Sequence, residues 1–297
     1  MIYQFNYKFN KFLFASLIIL FISSCSTDNN IEEGETETLP LEAIELLNVS
    51  YGASASQKYD LYLPANRSNL ITKVFVLVHG GSWIGGDKND MNFMVDVLKF
   101  SYPDYAIVNI NYRLASIGNS PFPMQLNDIA SVILDLENNE ESYQITGDFG
   151  FIGVSAGAHL SMVYAYDFDL DSDVHFVSSI VGPTNFTDPS YTDDPAFENF
   201  RIGMELMTGV SFANDPQFYE DFSPYHVATA TSPPTILFYG GQDELVPTSQ
   251  GVEMHAKLDE LGVTNEFTLY ENEGHGWEGD NFTDTLNKLS AFIDTYF

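Results

Sequence analysis

Residues 148–160 read Asp148-Phe-Gly-Phe-Ile-Gly-Val-Ser-Ala-Gly-Ala-His-Leu160. The apolar run predicts a short buried strand at 149–154, and the small residues that follow predict a helix from Ala156. Between them lies a G-x-S-x-G element centred on Ser155. A serine on so sharp a strand-to-helix turn is strained, and glycines two residues away on either side leave it room. The free N–H groups of a helix N-terminus favour developing negative charge. Ser155 is therefore predicted to be a nucleophile, the alternative being a serine in an ordinary tight turn.

A second glycine-rich segment follows the apolar run at 74–78, which predicts a central strand buried on both faces. Acyl transfer requires N–H donors aimed at the place where the tetrahedral oxyanion forms, and glycines after a strand free such donors. The predicted oxyanion hole consists of the backbone N–H groups of Gly81, Ser82 and Ala156. Trp83 is predicted to line the substrate pocket, with a packing role as the alternative.

An acid and a base are predicted in two loops further along the chain. The strand predicted at 235–239 ends near Asp243, and an acid just past a strand is a typical triad position, with Glu244 as the fallback. His275 lies between two glycines after the strand predicted at 266–270, where a general base has backbone access. The order Ser155, Asp243, His275 is that of α/β-hydrolases.

The other histidines have weaker claims to the role of base. His79 lies too far upstream of the serine. It is predicted to brace the glycine loop, residues 79–86, by hydrogen bonding. His226 is the rival base, although it precedes the acid in the chain. The remaining three, His159, His175 and His255, are interpreted as surface or helix residues.

Alternating strand and helix patterns predict an α/β fold with a mostly parallel sheet and helices on both faces. The predicted elements outside the site segments are an edge hairpin at 44–51 and 57–63, a strand at 106–111, helices at 91–100 and 124–138, a strand at 176–181 and a helix at 249–261. Arg113 is expected to pair with Asp128 and fix a loop near the site.

Residues 183–234 form the longest stretch without a predicted strand, and they contain nine Phe and Tyr residues. Such a segment is too aromatic for a disordered linker, so it predicts a cap over the site. Some of these aromatics must form the cap's own core. Phe186, Tyr191 and Phe200 are candidates for lining an acyl or sugar pocket, and the sequence does not rank them.

Charge and cysteine content exclude several classes of function. The chain of 297 residues carries 42 acidic and 11 basic residues, a net charge of −31. Nucleic acids would be repelled. The single cysteine excludes thiol redox pairs and cysteine-ligated zinc, and no H-E-x-x-H segment is present. We therefore expect no metal and no cofactor.

The N-terminal segment predicts export. Lys8 and Lys11 precede an apolar run at 12–22 that is shorter than the ~20 residues of a membrane span and typical of a signal peptide. The run ends in Ile-Ser-Ser-Cys25, which resembles a bacterial lipobox. We expect a signal peptide at 1–24, lipidation of Cys25, a polar acidic tether at 25–40 and the catalytic domain at 41–297. This predicts a membrane-anchored lipoprotein facing the periplasm or the cell surface.

Taken together, the motifs resemble the carboxylesterase branch of the α/β-hydrolases. The segments that carry this resemblance are Tyr51-Gly52, 57–64, His79-Gly-Gly-Ser-Trp83, Asn111-Tyr-Arg113, Phe122-Pro123, 153–157, 243–247 and Gly274-His-Gly276. The most similar subgroup is bifunctional acetylxylan/feruloyl esterase-like, near hormone-sensitive-lipase-like and kynurenine-formamidase-like esterases. His79-Gly-Gly-Ser-Trp83 lacks the fourth-position glycine of hormone-sensitive-lipase-like members, which weakens a lipase interpretation.

The resemblance implies hydrolysis of acetyl or feruloyl esters on polysaccharide through an acyl-enzyme on Ser155. Three alternatives stay open: a general short-chain carboxylesterase or lipase-like enzyme, a prolyl-oligopeptidase-type peptidase, and a non-catalytic glycan-binding lipoprotein. No propeller-sized N-terminal domain is evident to support the peptidase. An intact Ser155, Asp243 and His275 argues against the binding protein, because binding alone does not need a triad.

Overall fold

The computed structural model of the protein describes residues 40–297. The predicted signal peptide, Cys25 and all but the last residue of the tether lie outside this range. No helix within the described range combines the length and the apolar character needed to cross a bilayer.

Eight strands form one sheet in the order β1-β2-β4-β3-β5-β6-β7-β8. Their bounds are β1 Ile44–Ser50, β2 Lys58–Leu63, β3 Val74–Val78, β4 Ala106–Ile110, β5 Phe149–Val154, β6 Val174–Ile180, β7 Thr235–Gly240 and β8 Asn265–Tyr270. Strand β2 pairs antiparallel with both β1 and β4, and every other pair is parallel. The predicted edge hairpin and the mostly parallel sheet are confirmed.

Ten α-helical segments accompany the sheet in the described part of the chain. They are α1 Asn92–Ser101, α2 Met124–Asn138, α3 Glu140–Tyr143, α4 Ala156–Val163, α5 Pro189–Thr192, α6 Glu198–Thr208, α7 Pro216–Asp221, α8 Pro224–Val227, α9 Thr248–Leu261 and α10 Gly279–Tyr296. Short 3₁₀ turns occupy Lys88–Met91 and Pro195–Phe197, and α4 continues as a π-helical segment at Tyr164–Phe168. The long C-terminal helix α10 had no counterpart among the sequence predictions.

The two faces of the sheet are covered by different helices. Alternate residues of β3 point to opposite faces, so Val76 packs in a core with α2, α4 and α9, whereas Phe75 packs with α1 and α10. All five residues of β3 are fully buried. Burial on both faces explains the unbroken apolar run in the sequence.

The topology brings the predicted site segments to one edge. The segments that begin at His79, Ser155, Gly241 and Glu271 each follow a strand of the parallel part, namely β3, β5, β7 and β8. Carboxyl ends of parallel strands lie on the same side of a sheet. Four loops far apart in sequence therefore converge.

The segment between β6 and β7 contains helices α5 to α8 and no strand, as predicted. It has its own aromatic core, in which the Phe212 and Tyr219 rings stack with centroids 3.6 Å apart. Its first residues are held by Gln250 of α9, whose Oε1 accepts from the backbone N–H of Thr184 and of Asn185, at 2.7 Å each. We call residues 183–234 the cap.

A buried histidine joins the cap to helix α4 and to the glycine loop. Trp83 Nε1 donates to His159 Nδ1 (3.3 Å), and His159 Nε2 donates to the backbone oxygen of Phe222 in the cap (2.7 Å). The imidazole is also packed against the rings of Phe122 and Phe186. His159 is helical, as expected, but its interpretation as a possible surface residue is wrong, because it is fully buried.

Burial lowers the pKa of His159 to about 3, and the hydrogen bond to the Phe222 carbonyl offsets only part of this effect. The folded protein therefore keeps this imidazole neutral at pH values where an exposed histidine, which titrates near about 6.5, would take up a proton.

We expect His159 to make folding stability dependent on pH. Between about pH 6.5 and 3 the unfolded chain binds a proton at this position that the folded chain does not, so stability falls as the pH drops through this window. In denaturant unfolding between pH 6 and pH 4, the free energy of unfolding of the wild type should fall more steeply than that of His159→Gln, by about 1.4 kcal/mol per pH unit. Glutamine can donate and accept at similar positions without titrating.

The matched control is His175→Gln, which removes an imidazole from the surface, where it contacts Asp148, without vacating a buried site. Equal slopes for the wild type and His159→Gln would contradict the assignment of a buried neutral imidazole.

Candidate active site

Ser155 occupies the strained turn that the sequence predicted. Its backbone has φ 53° and ψ −121°, a conformation that residues other than glycine rarely adopt. A Cβ on Gly153 would lie 2.5 Å from the Gly157 carbonyl oxygen, and a Cβ on Gly157 would lie 2.1 Å from that of Val78. Both glycines are therefore required for the start of α4 to approach β3 and β5 this closely.

The three predicted triad residues are joined by hydrogen bonds. His275 Nε2 lies 2.9 Å from Ser155 Oγ, and His275 Nδ1 lies 2.8 Å from Asp243 Oδ2. The other oxygen of Asp243 accepts from the backbone N–H groups of Leu245 (2.8 Å) and Val246 (2.9 Å). The Asp243 side chain is fully buried, whereas the His275 side chain is 25% exposed.

These contacts define the tautomer of His275. An ionised carboxylate can only accept, so the proton between His275 and Asp243 belongs to Nδ1. Nε2 of the neutral ring is then an acceptor and faces the hydroxyl of Ser155. The arrangement suits removal of the serine proton by the imidazole.

The rival residues are not part of this chain of hydrogen bonds. Glu244 lines the adjoining cavity but makes no hydrogen bond to His275, whose Nδ1 contacts Asp243 instead. Nε2 of His226 contacts the Thr187 hydroxyl (3.0 Å) in the cap. His79 donates from Nδ1 to the Gly80 carbonyl (2.6 Å), so the predicted brace is present, and burial lowers its pKa.

The predicted oxyanion donors adjoin Ser155. Gly81, Ser82 and Trp83 have consecutive positive φ angles of 118°, 51° and 64°. Ser82 and Ala156 line a cavity together with Ser155, and Gly81 lines a second one. Within residues 40–297 the backbone N–H groups of Gly81, Ser82 and Ala156 donate to no protein acceptor. These donors are therefore free to bind an oxygen of a substrate.

Polar side chains on both sides of the glycine loop are held by ion pairs and hydrogen bonds. The ammonium of Lys88 lies 2.7 Å from Asp60, and both side chains are only 6% exposed. The backbone N–H of Lys88 donates to the side chain of Asn111 (2.6 Å). The predicted pair is also present, with Arg113 Nη2 2.6 Å from Asp128 Oδ1, and the hydrogen bonds that Arg113 donates to Asp128 raise the pKa of Arg113.

Two cavities meet at the serine and histidine. The first, the cap cavity, has a volume of about 360 Å³ and is lined mainly by apolar residues, among them Trp83, Phe197, Phe200, Met204, Met207 and Val246. The predicted pocket residue Trp83 lines this cavity and is 2% exposed. Of the three unranked aromatics, Phe200 lines the cavity, whereas Phe186 and Tyr191 are fully buried in packing contacts.

The second cavity also adjoins Ser155 and His275. It also measures about 360 Å³, is more open, and runs between the glycine loop, Asp90 and Leu245. A third space of about 210 Å³ extends it past His275 to Phe93 and Trp277. Asp90, Met91, Val154 and His275 line both of these spaces, which we together call the open cleft.

No group of three or more His, Cys, Asp or Glu side chains within the described residues is arranged to hold a metal ion. The polar groups where the cavities meet include the Ser155 hydroxyl, the His275 imidazole and backbone N–H donors.

Sequence reasoning missed the link between Trp83 and His159. The available signal was the spacing of His159, which follows Ser155 by four residues and therefore lies one helical turn beyond it. Nothing in the local pattern showed that the tryptophan of the glycine loop would reach the same place.

The chain is similar to several known proteins. Esterase LipC of Mycobacterium tuberculosis is 24% identical over 264 residues, which cover 83% of this chain and 64% of that protein. The chain thus spans less than two thirds of that relative. Among solved structures, a bifunctional GH43-CE protein of Bacteroides eggerthii has a TM-score of 0.73 at 22% identity, covering 85% of this chain and 38% of that one. A truncated carbohydrate esterase from gut microbiota has a TM-score of 0.70 at 21% identity, covering 84% and 96%.

The structural likeness shows an α/β-hydrolase fold, in agreement with the sequence prediction. A model of the BD-FAE family matches residues 59–258, which include Ser155 and Asp243. Because that match extends over more than half of the chain, the protein belongs to the BD-FAE family.

Proposed function

We propose that the protein is a serine carboxylic-ester hydrolase that removes acetyl or feruloyl groups from polysaccharide-derived esters. The observation that carries this proposal is the continuous hydrogen-bond chain from Ser155 through His275 to Asp243 at the meeting point of two cavities. Family membership and the esterases among the similar proteins support ester hydrolysis. The carbohydrate esterase structures support an ester of a carbohydrate.

In the proposed mechanism, His275 Nε2 accepts the proton of Ser155 as the serine oxygen attacks the ester carbonyl carbon. The resulting oxyanion is bound by the backbone N–H groups of Gly81, Ser82 and Ala156. His275 then gives the proton to the departing alcohol, which leaves an acyl group on Ser155. A water molecule, deprotonated by His275, hydrolyses this acyl-enzyme and restores the serine.

The buried carboxylate of Asp243 has a positioning and electrostatic role in this proposal. It holds the Nδ1–H tautomer and stabilises the imidazolium that forms when Nε2 takes the serine proton. Its two backbone N–H contacts fix its own orientation.

A lipoprotein location is proposed from the sequence alone, because Cys25 lies outside the described residues. An enzyme tethered outside the cytoplasm would have access to polymeric substrates. The strong negative charge of the chain makes nucleic acid an unsuitable partner.

Replacing the nucleophile tests the proposal directly. We expect Ser155→Ala to lower kcat on para-nitrophenyl acetate, methyl ferulate and acetylated xylan by at least about 10⁴-fold, because the acyl-enzyme cannot form. The control is Ser131→Ala on the exposed side of α2, where the hydroxyl only contacts the Asn127 carbonyl. Equal activities of the wild type and Ser155→Ala would refute the mechanism.

The ranking of substrates separates the remaining alternatives. Release of acetate or ferulate from esterified xylan supports the proposed substrate class. Turnover of short aryl esters alone would indicate a general carboxylesterase. Glycan binding without turnover of any ester would indicate the binding protein.

The role of Asp243 is tested by Asp243→Asn. An asparagine can present its amide N–H₂ to Nδ1, which would move the imidazole proton to Nε2 and leave no acceptor for the serine hydroxyl. We expect kcat to fall by about 10⁴-fold with a smaller change in KM. A variant with near wild-type kcat would show that the tautomer is not controlled by this residue.

The pH dependence tests the need for a neutral base. An imidazole that carries a proton on both nitrogens cannot accept one from Ser155, so kcat/KM should fall as the pH is lowered. Initial rates on para-nitrophenyl acetate between pH 4 and pH 8 measure this profile, with unfolding followed in parallel. A flat profile down to pH 4 in folded protein would contradict histidine as the base.

A further inference from the structure

The cap cavity and the open cleft both adjoin the reacting groups. Both touch Ser155 and His275, so one of them receives the acyl group of an ester and the other receives the alcohol. The proposed function does not specify which is which.

The degree of enclosure distinguishes the two spaces. The cap cavity is the more enclosed of the two, since cap residues such as Phe200 and Met204 cover it. The open cleft continues along the surface past His275 towards Phe93 and Trp277. A polymer-borne alcohol extends beyond the reacting centre in both directions, so it needs an open space. An acyl group ends after a few bonds, so an enclosed cavity can hold all of it.

The size of the cap cavity exceeds the needs of an acetyl group. A volume of about 360 Å³ is far larger than one methyl group requires, since a single water molecule takes only about 30 Å³ of the liquid. Its walls are aromatic rings and methionine side chains, with Phe200 and Trp83 6.3 Å apart between ring centroids. Such walls favour large apolar or aromatic groups.

Helix α6 of the cap leaves a gap in this wall at Gly203. Phe200, Gly203, Met204 and Met207 all line the cavity, and their spacing of three and four residues places them on one face of the helix. A Cβ added at Gly203 would meet no atom within 4 Å. Glycine inside a helix is less stable than alanine by about 1 kcal/mol, and no close neighbour at this position requires it. The absence of a side chain here keeps the cavity wide.

We propose that the cap cavity receives the acyl group and that Gly203 sets the upper limit on its size, so that the enzyme prefers large apolar or aromatic acyl groups to acetyl. This inference rests on the proposed ester hydrolysis and specifies its substrate class. Gly203 is a specificity-determining residue and takes no part in the chemistry.

The test is a series of para-nitrophenyl esters that share one leaving group and differ in the acyl group: acetate, butyrate, octanoate and cinnamate. In the wild type, kcat/KM should rise by about three- to fourfold for each methylene group that the cavity buries. The variants Gly203→Ala, Gly203→Val and Gly203→Phe fill the gap in steps. We expect Gly203→Phe to lower the octanoate-to-acetate and cinnamate-to-acetate ratios of kcat/KM by at least about tenfold, with the smaller side chains intermediate.

Ile202→Phe is the matched control, because Ile202 precedes Gly203 on α6, is 46% exposed and does not line the cavity. Its acyl ratios should equal those of the wild type. A second series, methyl, butyl and 2-naphthyl acetate, varies the alcohol, and the Gly203 variants should leave its ranking unchanged. Thermal unfolding of Gly203→Ala checks that the helix is intact, and its Tm should be at least that of the wild type.

Two results would overturn the assignment. If the Gly203 variants change the ranking of the alcohol series and leave the acyl ratios unchanged, the cap cavity holds the alcohol. If they lower kcat/KM for acetate and octanoate equally, Gly203 does not determine acyl size. A wild type that hydrolyses no ester in either series would refute the proposed function itself and this inference with it, which distinguishes the two failures.

Discussion

At Ser155 the backbone turns from β5 into α4 with φ 53°, and the start of the helix approaches β3 so closely that Gly157 can carry no side chain. This close approach depends on the central position of β5, which pairs with β3 on one side and with β6 on the other. The loop after β3 is therefore the neighbour of the serine, and it supplies the free N–H groups. The strain is tolerated because β5 is paired on both sides, with β3 and with β6.

This strongly acidic protein contains only 11 lysine and arginine residues, and two of them form ion pairs near the active-site loops. Lys88, which follows the glycine loop in the chain, is buried against Asp60. Arg113 forms an ion pair with Asp128. His159 also connects separate segments but carries no charge, since its neutral imidazole hydrogen-bonds to Trp83 and to the Phe222 carbonyl of the cap. Removing one partner of a buried ion pair leaves the other uncompensated, so such contacts fix the loop more by the penalty of disruption than by their net attraction.

Much of the fold followed from local patterns. The bounds of β5 and α2 were predicted to the residue, because an unbroken apolar run and a proline-bounded amphipathic pattern are unambiguous. The triad was predictable since each member follows a strand, and chain order then limits the pairing. The sequence could not predict that His159 is buried, or that Phe200 lines the cavity while Phe186 and Tyr191 pack in the core. Both depend on which distant segments pack together. Helix α10, whose position is set by packing against the sheet, was also missed.

The cap is attached to α4 and α9 through main-chain atoms and through polar side chains such as Asp188, which accepts hydrogen bonds from Ser249 and Gln250. His159 binds the carbonyl of Phe222, and Gln250 binds the N–H groups of Thr184 and Asn185. These contacts are made to main-chain atoms of the cap, so they do not depend on the identity of its side chains. Side chains that line the cavity are therefore not the ones that fasten the cap to α4 and α9. Under the proposed function, the cap residues that set the size of the acyl cavity are therefore distinct from those that hold the cap in place. New selectivities can be sought by recombining cap segments on one unchanged catalytic sheet.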